Sequence, residues 1–332
     1  MTSTIANSAR PRVDAPSSAT GTRLKLRCPV CAADVSRRGD SGQLLCTACG
    51  FFMEETEGIA RALVPERYSY FSRFIREYEM VRTAEGRGTT SADYYLELPF
   101  KDMTGRNSWQ WKIRARSYRA FGKRILPAIE NRHPLGFEML DLGAGNCWLS
   151  FRMALRGHRP VAVDLLDNAF DGLAAARHYQ ATLGYPMPLF KAEMDRLPFA
   201  SAQFDLAIFN ASFHYSTDYH ATLREALRCL RRPGYVVIAD SPFYEREVSG
   251  KDMIREKHES FERQYGFRSD AIPSLEYITP EVLTQLAREF NLTWKFTKPW
   301  YGINWALRPL KARLQSRRTP SQFFLIWAEV GQ

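Results

Sequence analysis

The 332-residue chain has no apolar run near the ~18 residues needed to cross a bilayer, so no segment reads as a membrane-spanning helix. Residues 1–22 are rich in Ser, Thr, Ala and Pro and lack the apolar core of a secretory signal. They read as a disordered tail, with an organelle transit peptide as the alternative, and the cytoplasm is the expected compartment. No internal repeat is present. Cysteine is sparse, six in all, and without a secretory context a disulfide-stapled scaffold is not expected. Acidic residues fall short of basic ones, 36 against 46, which leaves a formal charge of +10. The excess is uneven: residues 101–124 hold eight bases and one acid, and residues 291–332 hold seven and one. Such stretches suit RNA, an anionic lipid surface or an acidic small molecule, or they simply solvate helix faces. DNA is not an expected partner.

What is present begins with the cysteines. Cys28, Cys31, Cys46 and Cys49 form two C-x₂-C knuckles with fourteen residues between them. Four thiolates so spaced suit a closed tetrahedral Zn²⁺ site; disulfides or a redox pair are the alternatives. Residues 23–56 then read as a zinc ribbon, with a turn at 39–42. A site filled by four protein ligands is structural, and so small a unit should draw much of its folding energy from the metal. Cys147 and Cys229 read as small core residues.

The stretch 137–148 organises the rest. Apolar residues end in Asp141, Gly143 and Gly145 flank Ala144, and an apolar helix-compatible run follows. Strand, tight turn and helix are expected, with the glycines letting a ligand approach the backbone. A dinucleotide fingerprint would need a third glycine where Trp148 stands, and Asp141 would repel a pyrophosphate. An acid there suits a ligand with a positive amine, and S-adenosylmethionine fits. A second buried strand ends in Asp164, where a doubly wound sheet places its acceptor for a ribose diol. A third strand running into an acidic loop is expected within 189–199, and further strands at 204–210 and 235–240, with helices at 168–183 and 219–230 between strands. This alternation makes a parallel sheet, with ligands at the carboxyl ends of its strands.

In Asp141-x-Gly143-x-Gly145, Asp164, Glu193-Met194-Asp195-Arg196-Leu197-Pro198-Phe199, Phe204-Asp205-Leu206 and Leu230-Arg231-Arg232-Pro233-Gly234, the chain resembles the class I S-adenosylmethionine-dependent methyltransferases. The likeness is greatest to those of ubiquinone and menaquinone biosynthesis, and it covers about residues 137–241. It implies an α/β fold with a doubly wound, mostly parallel seven-stranded sheet of Rossmann-like type. It also implies roles. Asp141 would meet the methionine amine, Gly143 and Gly145 would allow backbone approach, and Asp164 would accept from the ribose hydroxyls. Glu193, or Asp195 in its place, would take the adenine amine, with Met194 beside the ring. Cys147 departs from the pattern, where a third glycine is common. Asn210, His214 and Asp240 follow the fourth and fifth strands, close to the transferred methyl in that family. His214 reads either as a proton acceptor or as a packing residue.

Residues 57–135 form an aromatic, basic helical extension, and 136–332 the catalytic domain with an insertion at 242–278. Trp109, Ile113, Ser117, Phe121 and Ile125 recur at i+4 and read as the buried face of one helix. Core packing is one reading of the extension; the other is a lid with Trp111, Arg114 and Tyr118 turned inwards. A last long helix at 281–290 is capped by Thr279, and final strands are expected at 292–298 and 322–330. Ile303, Leu307, Leu310 and Leu314 read as packed on the sheet edge or, alternatively, against a membrane or nucleic acid. Three functions are weighed: methyl transfer to a small molecule, aromatic or quinone-like; methylation of an rRNA or tRNA base; and a non-catalytic binding protein.

Overall fold

The structure, a computed structural model, describes residues 24–38 and 43–331. The tail at 1–22 and the ribbon turn at 39–42 lie outside them. Five short strands open the chain: β1 (Leu26–Arg27), β2 (Asp34–Arg38), β3 (Gln43–Cys46), β4 (Phe52–Thr56) and β5 (Ile59–Arg61). Each pairs antiparallel with the next. Helices α1 (Pro65–Ala84), α2 (Ala92–Glu97), α3 (Ser108–Arg124) and α4 (Leu126–Glu130) follow.

The alternating core runs β6 (Glu138–Leu142), α5 (Trp148–Ala154), β7 (Arg159–Asp164), α6 (Arg177–Leu183), β8 (Leu189–Lys191), β9 (Phe204–Asn210), α7 (Tyr219–Cys229) and β10 (Leu230–Ala239). After it come α8 (Glu247–Tyr265), α9 (Pro280–Phe290), β11 (Lys295–Thr297), α10 (Ile303–Ala306), α11 (Arg308–Leu314) and β12 (Leu325–Val330). Among the described residues, no helix is long and apolar enough to cross a membrane.

Seven strands, in the order β8-β7-β6-β9-β10-β12-β11, make the doubly wound sheet. The first five are parallel; β12 runs antiparallel between β10 and β11. The sheet does not stop at β8. Strand β5 adds to it in parallel, and β4 to β1 continue it to a twelve-stranded order. The expected count of seven is therefore exceeded, and the extension that read as helical begins with a strand. The unpaired backbone groups at the β8 edge supply the reason, since a neighbouring strand satisfies them.

Alternation along the strands sorts side chains to two faces. Leu140, Leu142, Ala207, Phe209, Val236 and Ile238 join one apolar cluster; Met139, Leu206, Ile208, Tyr235 and Val237 join the other. Cys28, Val35, Leu44, Cys46 and Met53 of the ribbon belong to the first cluster. The ribbon thus shares the main core. Leu26 bridges Phe199, and the Arg27 and Ala200 amides donate to the Pro198 and Lys25 carbonyls.

Four local expectations shift. Trp109 is 61% exposed and lies against Trp305, whereas Trp111 is 3% exposed and joins the core with Ile113, Ser117 and Phe121. The helix expected at 168–183 is shortened to α6, because Asn168 Oδ1 accepts from the Phe170 and Asp171 amides and holds a turn there. The strand expected at 292–298 shrinks to β11. Residues 303–314 form two short helices, with Pro309 near the start of the second, and Ile303, Leu307, Leu310 and Leu314 are exposed rather than packed on the sheet edge. At α9, Thr279 Oγ1 accepts from the Val282 amide and Pro280 occupies the first turn.

Phe199 is fully buried, with its ring 4.8 Å from Phe190 and 5.3 Å from Phe204, where ribbon and sheet meet. Phe199→Ala should lower the unfolding free energy by about 3–5 kcal/mol in a urea titration. A loss below about 1 kcal/mol would mean that ribbon and sheet do not share a core.

Candidate active site

The parallel strands β6, β7 and β9 end side by side, and the site is built on those ends. After β6 the chain turns through Gly143 and Gly145, both at positive φ. A Cβ on Gly143 would lie 2.2 Å from the Ser212 Cβ, so only glycine fits beneath the loop that leaves β9. Cys147, which precedes α5, is buried with φ +62, a conformation that glycine adopts more readily. The turn is completed by a non-glycine residue held in place by packing.

Asp164 ends β7. Its Oδ2 accepts from the Gly145 amide at 2.7 Å and its Oδ1 from the Leu166 amide at 2.8 Å. Burial outweighs these bonds and raises its pKa to about 6. Asp141, one residue before the end of β6, is 1% exposed. Ser150 Oγ donates to its Oδ2 at 2.7 Å, and its Oδ1 has no partner among the described residues. Burial raises this pKa to about 7, and the Asp164 charge adds to the shift. Glu193 lies beyond β8 and is buried. Arg67 of α1 donates to its Oε2 from Nε at 2.8 Å and from Nη2 at 2.6 Å. Burial nevertheless raises the Glu193 pKa.

A cavity of about 1090 Å³, open mouth included, lies over these strand ends. Gly143, Gly145, Asp164, Glu193, Met194, Asp195 and Asn210 line it, so most of the residues singled out in the sequence face one space. Helices α1 and α3 roof it with Phe71, Phe74, Tyr78, Trp111 and Arg114, and Trp148 and Tyr215 complete the aromatic wall. Tyr118 packs on Trp148 and is not among the lining residues.

Asp141, His214 and Asp240 do not line the cavity. Asp141 lies behind the glycine turn. His214 Nδ1 is 3.2 Å from Ser241 Oγ, and its ring is 4.3 Å from that of Tyr215. Burial lowers its pKa to about 4, so it is neutral near pH 7. Asp240 accepts from Ser117 and, at 3.4 Å, from Tyr301, and its pKa rises to about 6 through burial.

Sequence reasoning missed Arg82, Arg87, Asp171 and Tyr215, which also line the space. Arg82 pairs with Asp171 at 3.4 Å, and Arg87 pairs with Glu85 at 2.6 Å. Arg82 and Asp171 are far apart in the chain and stand in no local motif, so only the fold brings them together.

Away from the cavity, the four knuckle sulfurs lie within 4.8 Å of one another. Cys28 and Cys49 Sγ are 3.6 Å apart and Cys31 and Cys46 Sγ 3.5 Å, too far for a disulfide bond of ~2.05 Å.

Residues 140–238 match the family model described as a methyltransferase domain. The chain is 31% identical over 134 residues to a malonyl-[acyl-carrier protein] O-methyltransferase of Erwinia pyrifoliae, covering 40% of this chain and 47% of that protein. It is 26% identical over 125 residues to a ubiquinone/menaquinone biosynthesis C-methyltransferase of Rhizobium leguminosarum, covering 37% and 48%. It thus spans about half the length of the curated relatives it matches. Among solved structures, a 1,6-didemethyltoxoflavin-N1-methyltransferase of Burkholderia thailandensis aligns over 81% of this chain and 91% of that one, at 17% identity and TM-score 0.47. The match to a methyltransferase domain thus covers the middle of this chain.

The raised carboxyls have a consequence for stability. Asp141 titrates at about 7 in the fold against an ordinary 3.8, so the folded state binds its proton more tightly than the unfolded chain. Stability contributed by the neutral form is present at low pH and is lost as pH rises from about 4 through about 7. Asp141→Asn should therefore flatten the decline in urea midpoint between about pH 5 and pH 8. Parallel declines in variant and wild type would contradict the assignment.

Proposed function

We propose that this protein transfers a methyl group from S-adenosylmethionine to a small organic acceptor. The observation supporting this most directly is the single cavity in which a glycine turn, Asp164, Glu193 and Met194 form one wall and aromatic rings the other. The donors suit a nucleoside. Each Asp164 oxygen accepts one backbone amide and keeps a lone pair for a ribose hydroxyl. Arg67 binds only Oε2 of Glu193, which leaves Oε1 to accept from an exocyclic amine. The unpartnered Asp141 Oδ1 suits an ammonium reached through a water behind the turn.

When bound, the cofactor supplies a methyl carbon already activated by a positive sulfur. The chain aligns the partners and keeps water out. Rings from α1 and α3 cover the space, and their π faces favour a cation. Asn210, at the end of β9, faces the acceptor side. We assign His214 and Asp240 to positioning: His214 braces Tyr215, and Asp240 ties β10 to α3 through Ser117. A quinone-like aromatic acceptor, in keeping with the ubiquinone/menaquinone biosynthesis for which one relative is named, falls within this class.

Cys28, Cys31, Cys46 and Cys49 are assigned to a structural Zn²⁺. Tetrahedral Zn–S bonds of ~2.3 Å place sulfurs ~3.8 Å apart, close to the separations in the ribbon. The ribbon docks on residues 198–200, just after the Glu193 loop, so the metal would stiffen that wall of the cavity.

Calorimetry with S-adenosylhomocysteine should show binding that Asp164→Asn weakens about tenfold or more. Affinity should fall as pH drops through about 6, where Asp164 takes up its proton. Binding of NADH in place of S-adenosylhomocysteine would overturn the reading. Tritium-methyl transfer into fractionated lysate should label organic-soluble metabolites, and label in RNA would point to the base-methylating alternative.

Metal analysis of purified protein should find about one zinc per chain. Removing it with a chelator should lower the melting temperature and weaken S-adenosylhomocysteine binding. A metal-free protein with unchanged binding would refute the structural role.

A further inference from the structure

We propose that Arg114 is the anchor for an anionic group on the acceptor, which makes the substrate an aromatic or similarly flat organic acid bearing a carboxylate or phosphate. This rests on the methyltransferase reading.

Arg114 stands in the middle of α3 and lines the cavity. Among the described residues it makes no hydrogen bond or ion pair; its guanidinium lies 5.2 Å from the centre of the Trp111 ring. The other cations of the lining are engaged. Arg82 meets Asp171 at 3.4 Å, Glu85 at 3.3 Å and the Tyr78 hydroxyl, and Arg87 meets Glu85 at 2.6 Å and Gln110. Of the lining acids, Glu193 is engaged by Arg67, Asp171 by Arg82 and both Asp164 oxygens by backbone amides, while Asp195 stands two residues after Glu193 at the β8 end. One cation in the lining is therefore left without a carboxylate.

That is an unfavourable state unless a ligand completes it. Burial disfavours the Arg114 charge and repulsion from Arg87 and Arg82 adds to this, more than the attraction of Asp240 and Asp171 offsets. Its position indicates which ligand. Ser117, one turn along α3 from Arg114, bonds Asp240 just past the end of β10, whereas Asp164 ends β7 and Glu193 follows β8. Strands β6 and β9 lie between these two ends of the site. The nucleoside wall is therefore at one end and Arg114 at the other, where an acceptor must enter. Trp111 flanks Arg114, and Phe74, Tyr78 and Tyr215, which pack on one another, line the same cavity with ring faces and edges that suit a flat apolar body. A guanidinium matches a carboxylate or phosphate with two parallel hydrogen bonds, which gives orientation as well as affinity.

The cofactor's own carboxylate is the competing partner, and one experiment separates the two. Protein saturated with S-adenosylhomocysteine is titrated calorimetrically with benzoate, phenyl phosphate and the neutral benzamide. At least one anion should bind with a dissociation constant below about 10 mM, and benzamide about tenfold more weakly. The tighter of the two anions identifies the acceptor's acid as carboxylate or phosphate. Arg114→Gln should weaken the anion about tenfold or more while S-adenosylhomocysteine binding, which also reports folding, stays within about threefold. Arg114→Lys should recover part of the anion affinity. Anions binding no better than benzamide would overturn the proposal, as would an Arg114→Gln variant that loses S-adenosylhomocysteine while the Lys variant keeps it. Failure of S-adenosylhomocysteine to bind wild type would instead remove the methyltransferase reading beneath it.

Discussion

The site depends on the bond from the Gly145 amide to the Asp164 carboxylate. It ties the end of β7 to the turn after β6, across the seam where the two strands run parallel. The carboxylate is buried and would sooner be neutral, so each amide that holds it favours the charged form. The glycine turn is in turn shaped by Ser212, which packs so close to Gly143 that no Cβ fits. Three strand ends, β6, β7 and β9, are thereby locked into one floor. Everything above the floor, the aromatic roof included, is placed relative to it.

The ribbon bears on the same floor from the side. By continuing the sheet past β8 and sharing the core around Phe199, it sits against the segment that leads from the Glu193 loop into β9. A small unit with few apolar residues of its own gains stability by lending them to a larger core. Arg67, just beyond β5, reaches Glu193 from the roof. Roof, ribbon and floor thus meet at one acidic loop, which couples the clasp to the cavity without any contact between cysteine and cavity.

Much of the core was legible because parallel buried strands and glycine turns leave local signals. Strand β9 spans 204–210 as expected from its apolar run, and the Thr279 cap is where its spacing put it. Errors arose where a neighbour overrode a local pattern. The i+4 series placed Trp109 in the core, yet at the start of α3 it turns to Trp305, and Trp111 is buried instead. The apolar positions of 303–314 suggested packing, yet they stay exposed because no element covers them among the described residues.

By itself, then, the sequence determined the alternating sheet, the acid-ended strands and the four-cysteine clasp, because each is written in residues close together along the chain. Only the tertiary structure decided that the ribbon extends the sheet, that His214 and Asp240 stand outside the cavity lining, and that Arg114 faces the cavity without a partner among the described residues. Those are matters of which distant surfaces touch, and pairing between remote segments leaves no periodic trace in either of them.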